Sequence, residues 1–438
     1  MKILLVYPST DTSGLSQDLV MLEPLSLEYL AAGVSQQHKV KILDLRLGRN
    51  LTREITDWKP DMVGITGFTF HTPEMIALSQ EVKRASRDIK VLVGGHHATF
   101  YPKSFMLPTV DIIIRGPGEE IIDNILSGSA LSRIPGLGYK EGSEWAFNPG
   151  WPPFREKTPR HELINSSHYH ALGINCSSTF ATRGCPYACR FCDVTKFYQR
   201  KHELRTIESV IQEIQSLPTK LIVMVDDNIG INPNFLTKFV DSLAEADVRK
   251  KYITTMGVRE ILANKKALDK WFDIGLCGIF VGLERVDDKE LVGLGKKVTY
   301  SMNDAAISFI HSRGGIIIGN LIVLPTDTED DFKRLQEYIR SREIDIPGIS
   351  ILTPLPGTEL WDEDKGSEEF QKYDLVHAVT PTTLEGAQFY RYFHQLYANL
   401  NGRRVVFKII KNIGLGKWVF KLPRVYRGMK RLTNAVAK

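Results

Sequence analysis

The first 130 residues alternate short apolar runs with longer amphipathic ones. Lys2–Tyr7, Val40–Leu45, Asp61–Thr66, Lys90–Val93 and Asp111–Arg115 read as strands, and Leu25–Gln36, Glu74–Arg87 and Glu119–Leu126 as helices. Unbroken Val/Ile/Leu strands separated by helices predict a parallel sheet buried on both faces. That is the doubly wound α/β class, whose ligands lie beyond the carboxyl ends of the strands. From Pro135 to Asn175 the pattern fails, and Pro, Gly, Trp and polar residues form an irregular connection with a hairpin turn at Gly142. A second series follows, with strands Ser178–Thr182, Leu221–Val225, Tyr252–Met256, Gly278–Leu283, Gly315–Val323 and Gly348–Leu352. Helices Ile207–Leu217, Asn234–Ala246, Lys265–Phe272, Asn303–Ser312 and Thr328–Arg340 lie between them. Six such units predict a partial (β/α)6 barrel, with active residues at the strand C-terminal ends. The chain thus divides into an α/β domain (1–134), a linker (135–175), a partial barrel (176–371) and a helical C-terminal region (372–438).

Composition adds limits. A chain of 438 residues exceeds one ordinary core, and 43% hydrophobic with 24% charged residues is a globular balance. No apolar run reaches the roughly 18–20 residues of a membrane span. The N-terminal MKILLVYPS enters a strand at once, which predicts no signal peptide and a cytoplasmic protein. The net charge of +5 is uneven: Arg403–Lys438 carries eleven Lys/Arg and no acid, which leaves −6 on the other 402 residues. An acidic body argues against a nucleic-acid partner. In the basic tail Val406, Ile409, Ile410 and Ile413 fall on one helix face, and Trp418, Phe420 and Tyr426 follow. Two readings stand: a peripheral anchor at a membrane surface, or a helix packed on the barrel with a solvated basic face.

Five cysteines do not make a disulfide scaffold in a cytosolic chain of this size. Three of them, Cys185, Cys189 and Cys192, stand as C-x3-C-x2-C in TRGCPYACRFCDV. Soft thiolates at this density suit zinc or an iron–sulfur cluster. Zinc would want a matching fourth ligand, and Cys176 and His202 do not supply one at short spacing. Three ligands leave one iron of a four-iron cluster open. Cys176 and Cys277 sit in apolar runs and receive no role.

With these residues in place, the second half resembles the radical S-adenosylmethionine (SAM) superfamily. The triplet follows the first barrel strand, and Phe191 matches the aromatic that packs by the adenine. Asp226 and Asp227 match the position used for the methionine amino group, Glu284 and Arg285 the ribose and carboxylate contacts, and Gly319 and Asn320 the adenine position. LPTDTEDDF and TPLPGTELW look like later signatures of that family. The resemblance implies a [4Fe-4S] cluster that chelates SAM, one-electron cleavage to a 5′-deoxyadenosyl radical, and hydrogen abstraction from an unactivated C–H bond. It also implies an electron donor such as flavodoxin or ferredoxin. The bland readings are a capping role for Asp226 and Asp227 and a barrel salt bridge for Glu284 and Arg285.

The first domain resembles the cobalamin-binding domain of B12-dependent radical SAM proteins, on Gly94 and Gly95 in VLVGGHHATFYP and on Gly116, Gly118 and Glu119 in IIIRGPGEE. Paired glycines allow backbone to approach a flat corrin, and Thr66, Thr69 and Phe70 become candidate neighbours. The DxHxxG signature should fall at Asp44–Gly48, but Arg46 stands where the cobalt-binding His belongs. A guanidinium cannot ligate cobalt, so either cobalamin binds without a lower protein ligand or the domain no longer binds it. The first is the expectation. His71, His96 and His97 are alternative corrin contacts, and Tyr169, Tyr198, Arg200 and Arg259 are candidate lining residues. The family implies a C-methyltransferase acting on a small, lipophilic biosynthetic intermediate. The alternatives are a cyclase or oxidative rearrangement enzyme without methyl transfer, or a cobalamin- or nucleotide-sensing protein with a structural metal.

Overall fold

A computed structural model describes residues 1–9, 20–363, 368–398 and 402–413. They form two compact units: residues 1–9, 24–165, 355–363 and 368–374, and residues 20–23, 166–354, 375–398 and 402–413.

The first unit holds a seven-stranded sheet of β1 (Lys2–Tyr7), β2 (Lys39–Asp44), β3 (Met62–Thr66), β4 (Lys90–Gly94), β5 (Ile112–Ile114), β6 (Leu137–Glu141) and β7 (Glu144–Phe147). The order is β2-β1-β3-β4-β5-β6-β7, parallel through β5 and antiparallel at β6 and β7. Both faces are covered, which is why the strands are apolar throughout. Leu4, Val6, Val63, Ile65, Val91 and Val93 pack with Met75, Leu78 and Val82 of the helix Thr72–Ala85. Ile3, Leu5, Leu92 and Ile114 pack on the other face with Leu27, Ala31 and Ile122. The strand order reverses beside β1, so the loops after β1 and β3 diverge and open a crevice at the carboxyl edge.

Three features depart from the sequence reading. The hairpin around Gly142 is no part of an irregular linker, because β6 pairs with β5 and extends the sheet. A helix at Leu51–Trp58 goes unpredicted, since only Leu51 and Ile55 bury an apolar face. Residues 355–363 and 368–374 fold with this unit and not with the barrel, through aromatic contacts that carry no periodic signal. Phe370 meets His97 at 4.6 Å between ring centroids, and Trp361 meets Tyr101 at 5.7 Å.

The second unit is the expected partial barrel: β8 (Ile174–Thr179), β9 (Leu221–Met224), β10 (Lys251–Met256), β11 (Leu276–Glu284), β12 (Ile316–Val323) and β13 (Ile346–Ile351), all parallel and in chain order. Two-residue antiparallel strands at His170–Ala171 and Val20–Met21 complete the β8 edge. The outer face packs on helices through Val210, Leu236, Leu268, Ile307, Leu335 and Phe389. The inner face begins in an apolar floor of Cys176, Leu221, Ile253, Cys277, Ile316 and Ile346. Val405 and Ile409 of the helix Gly402–Ile413 join this floor. Lys408 Nζ donates to the Gly315 carbonyl at 3.1 Å and to Asp345 at 2.6 Å. The helix Gly402–Ile413 is thus packed on the barrel, but its Lys408 and Arg404 pair with buried Asp345 and do not form the solvated basic face expected. Residues 414–438, the rest of the basic tail, lie outside the described residues. Among the described residues no helix is long and apolar enough to cross a membrane.

Candidate active site

The cysteine loop starts where β8 stops, and a buried carboxylate sets that point. Asp226, just past β9, accepts from Ala181 N at 3.1 Å, Thr182 N at 2.5 Å and Thr182 Oγ1 at 2.7 Å. Asp227 Oδ2 accepts from Gly184 N at 2.7 Å. These bonds turn the chain after Thr179, so the strand predicted to reach Thr182 ends early. Thr182–Arg183 instead pairs antiparallel with Glu203–Leu204. Burial pushes the Asp226 carboxyl up to about 7, against the opposing pull of its bonds from Thr182 and Ala181. Both aspartates therefore act first as clamps on the loop, the capping role weighed as the bland reading.

Cys185, Cys189 and Cys192 are half-buried on this loop with Phe191. Burial pushes the Cys185 thiol up to about 11 and raises the other two. Thiols so placed ionise against a compensating positive charge, which a metal supplies. The three lie close enough that Cys189 raises the pKa of both Cys185 and Cys192, the crowding expected of ligands to one metal group.

Neighbouring loops grip the same segment. The Tyr187 hydroxyl donates to Glu260 Oε1 at 2.5 Å, and Asn228 Nδ2 donates to Glu260 Oε2 at 3.0 Å. Arg259 lies 5.1 Å over the Tyr187 ring. Arg190 donates through its backbone N to the Leu294 carbonyl and through Nη1 to the Gly293 carbonyl, both at 3.1 Å. Gly295 has φ +74°, and a Cβ there would stand 2.8 Å from the Ala188 carbonyl oxygen, so the loops touch backbone to backbone. None of Tyr187, Asn228, Glu260 and Lys296 was singled out by the sequence reading. Tyr187 lies inside the motif, but no spacing links it to Glu260.

At the end of β11, Glu284 adopts φ +61° and its Oε1 lies 2.9 Å from Lys296 Nζ. A side chain at Gly282 would occupy the space that the Glu284 carboxylate fills. Burial pulls the Lys296 ammonium down, but Glu284 and Cys189 outweigh it and hold the pKa above the ordinary value. Arg285 requires a correction. It is fully buried, and its five N–H groups go to Glu290, Asp327 and the Ile322 carbonyl at 2.8–2.9 Å. No donor remains for a ligand, and Arg285 is the barrel salt bridge. The adenine pair also divides. Gly319 faces outward, where a Cβ would stand 2.9 Å from both Leu283 and Ile344. Asn320 lies on the inner face, in register with Gly282 and Gly348, and fills the space beside Gly348. Tyr169 is buried, Tyr198 stacks with Arg183 at 5.2 Å, and Arg200 is exposed.

In the first unit the carboxyl edge is built from tight turns. Gly95, at φ +96°, would place a Cβ 2.6 Å from the Gly67 carbonyl oxygen and 2.8 Å from Thr66 Oγ1. Gly116 makes room for Trp151 and Gly118 for Leu30, while Gly94 only meets Ile114 at ordinary contact. Protein neighbours therefore account for the motif glycines. Glu119 is buried, and its carbonyl abuts Gly33. Thr69 and His97 are buried together, with Nδ1 and Oγ1 3.3 Å apart, and burial lowers the His97 pKa to about 3. The group at the open edge is aromatic: Phe68, 47% exposed, stacks on Phe70 and lies 5.5 Å from His96. His71 accepts from Phe68 N at 3.0 Å. Arg46 is tied to Asp44 at 2.7–3.2 Å and lies 4.4 Å over the Tyr7 ring. A flat apolar ligand face suits this edge, and Arg46 offers it no metal ligand.

A doubly wound domain with an aromatic carboxyl edge, and a half-barrel with three cysteines on its first loop, define a radical SAM protein of the type that carries a B12 domain. Comparison with known proteins agrees. The B12 binding domain model matches residues 20–126, and the radical SAM superfamily model matches residues 179–339. The hopanoid C-3 methylase of Methylococcus capsulatus is 28% identical, over 89% of this chain and 78% of its own. The bacteriochlorophyllide d C-12(1)-methyltransferase of Chlorobaculum tepidum is 25% identical, over 96% and 91%. Among solved structures, the radical SAM methyltransferase TsrM from Kitasatospora setae, with cobalamin and a [4Fe-4S] cluster bound, aligns with a TM-score of 0.71 at 16% identity, over 99% of both chains. The chain belongs to the B12-binding radical SAM family.

Proposed function

We propose that the protein is a cobalamin-dependent radical SAM methyltransferase acting on an unactivated carbon of a lipophilic biosynthetic intermediate. The observation that carries this reading is the clamped three-cysteine loop at the mouth of a half-barrel, in a chain that also has a B12-type domain. When bound, the cluster with SAM supplies a radical that abstracts hydrogen, and methylcobalamin supplies the methyl group. Cys185, Cys189 and Cys192 would hold the cluster, and Asp226 and Asp227 keep their loop in one shape. Glu284 and Asn320 present polar atoms at the C-terminal end of the inner face, above its apolar floor. Phe68, Phe70 and His96 would line the corrin, with no protein ligand from Arg46. The lipophilic class rests on the two methyltransferase relatives. The electron comes from a small donor such as flavodoxin or ferredoxin, and the cytoplasmic protein reaches its substrate at a membrane surface through the part of the basic tail beyond residue 413.

Anaerobic reconstitution tests this reading. About four irons per chain, cobalamin retained on purification, and SAM cleavage upon reduction are expected. Isotope from the SAM methyl group should appear in a lipid extract of cells expressing the protein, and cleavage without label in any product would favour the cyclase. Flotation with anionic liposomes should require residues 414–438, and equal flotation of a chain truncated there would retire the membrane surface.

A further inference from the structure

We propose that Lys296 is a positioning residue that couples the cluster loop to Glu284 and sets the charge felt by the cluster. The inference deepens the proposed function and rests on its assignment of a cluster to Cys185, Cys189 and Cys192.

The geometry starts from the backbone. The turn Gly293–Lys296 is pinned to the cysteine loop by both 3.1 Å bonds from Arg190. Gly295, in the left-handed region, lets it lie directly on Ala188. Lys296 follows immediately, so the contacts of Gly293, Leu294 and Gly295 with the loop set its place beside the cysteines. Its Nζ then reaches back to Glu284 Oε1 at 2.9 Å and to the Gly282 carbonyl at 3.5 Å. Little of either side chain is exposed: 18% for Lys296 and 8% for Glu284.

Two consequences follow. First, Glu284 sits at φ +61°, a conformation that a non-glycine residue keeps only when its surroundings hold it. Lys296 is the cation that holds its carboxylate. Second, three thiolates and a reduced cluster place negative charge where little water can screen it. A fixed ammonium beside them stabilises the reduced state, and a carboxylate beside them opposes it. Lys296 and Glu284 therefore act on the cluster with opposite signs, and the pair keeps either effect from standing alone.

The test uses the full chain, reconstituted anaerobically as wild type, Lys296→Met, Lys296→Arg and Glu284→Gln. Iron content is measured first, and the midpoint potential of the cluster is then followed by electron paramagnetic resonance during a mediated dithionite titration. Lys296→Met should shift the potential to more negative values, Glu284→Gln to more positive ones, and Lys296→Arg should stay near wild type. A purely structural role would not give opposite signs. Equal potentials for Lys296→Met and wild type, at equal iron content, would overturn the proposal and leave the cluster assignment intact. Wild type without iron would instead remove the reading on which it rests. Should Lys296→Met fail to fold, an unshifted Glu284→Gln would overturn the proposal by itself.

Discussion

At the strand ends of the first unit, glycines let neighbours close in. The Gly95 backbone lies against that of Gly67 and Gly116 against the Trp151 ring, and the exposed surface is aromatic. At the strand ends of the barrel unit, charge holds the loops. Asp226 and Asp227 clamp Ala181–Gly184, Glu260 holds Tyr187, and Lys296 holds Glu284. The two sheets share a class of topology and use the same edge, yet solve different problems. A broad, flat ligand is served by clearing side chains away and leaving ring faces. A small charged ligand with several polar groups is served by fixed dipoles and ions, which cost nothing to reorganise when it arrives.

Variants can break this contrast. The largest effect is expected for Cys185→Ala, Cys189→Ala and Cys192→Ala combined: iron and SAM cleavage fall to background while cobalamin retention is unchanged. Joint loss of both cofactors would show that the two edges are not independent. Next is Asp226→Ala, which leaves Ala181 N, Thr182 N and Thr182 Oγ1 without their acceptor. A cost of about 3 kcal/mol or more is expected in chemical denaturation, with impaired iron uptake, whereas Asp226→Asn keeps an acceptor and should lose much less. Gly95→Ala should cost about 2 kcal/mol through its positive φ and the approach of Gly67, and should reduce cobalamin retention with iron content unaltered.

The effects of pH have opposite signs in the two units. His97 has a folded pKa of about 3 against an ordinary 6.5, so its contribution to stability is full above 6.5 and is lost as pH falls toward 3. Asp226 has a folded pKa of about 7 against 3.8, so its contribution is full below 3.8 and is lost as pH rises toward 7. Denaturation midpoints from pH 4 to 7 should therefore lose acid sensitivity in His97→Gln and alkaline sensitivity in Asp226→Asn. Parallel slopes in both variants would contradict the burial described for these groups.

Much of this was legible in the residues. Period and length placed every strand of both parallel series within a few residues, because buried parallel strands are continuous apolar runs. The cysteine spacing pointed to its chemistry directly. What escaped was set by partners distant in sequence. Arg285 follows Glu284 and shares its motif, but Asp327 and Glu290 decide where its guanidinium goes. Gly319 and Asn320 are adjacent, yet the pleat sends them to opposite faces. Lys296 has no motif, and its role comes from a turn docked on the cysteine loop. The membership of residues 355–363 and 368–374 rests on aromatic contacts that leave no period to read.

One detail of the barrel makes its two ends unlike. Val405 and Ile409 seal the amino-terminal end of the inner face, and Lys408 and Arg404 fasten that stopper to Asp345. The base of the inner face is thereby taken up by protein, and its polar groups, the cysteine loop with Glu284 and Asn320, stand at the opposite, carboxyl end.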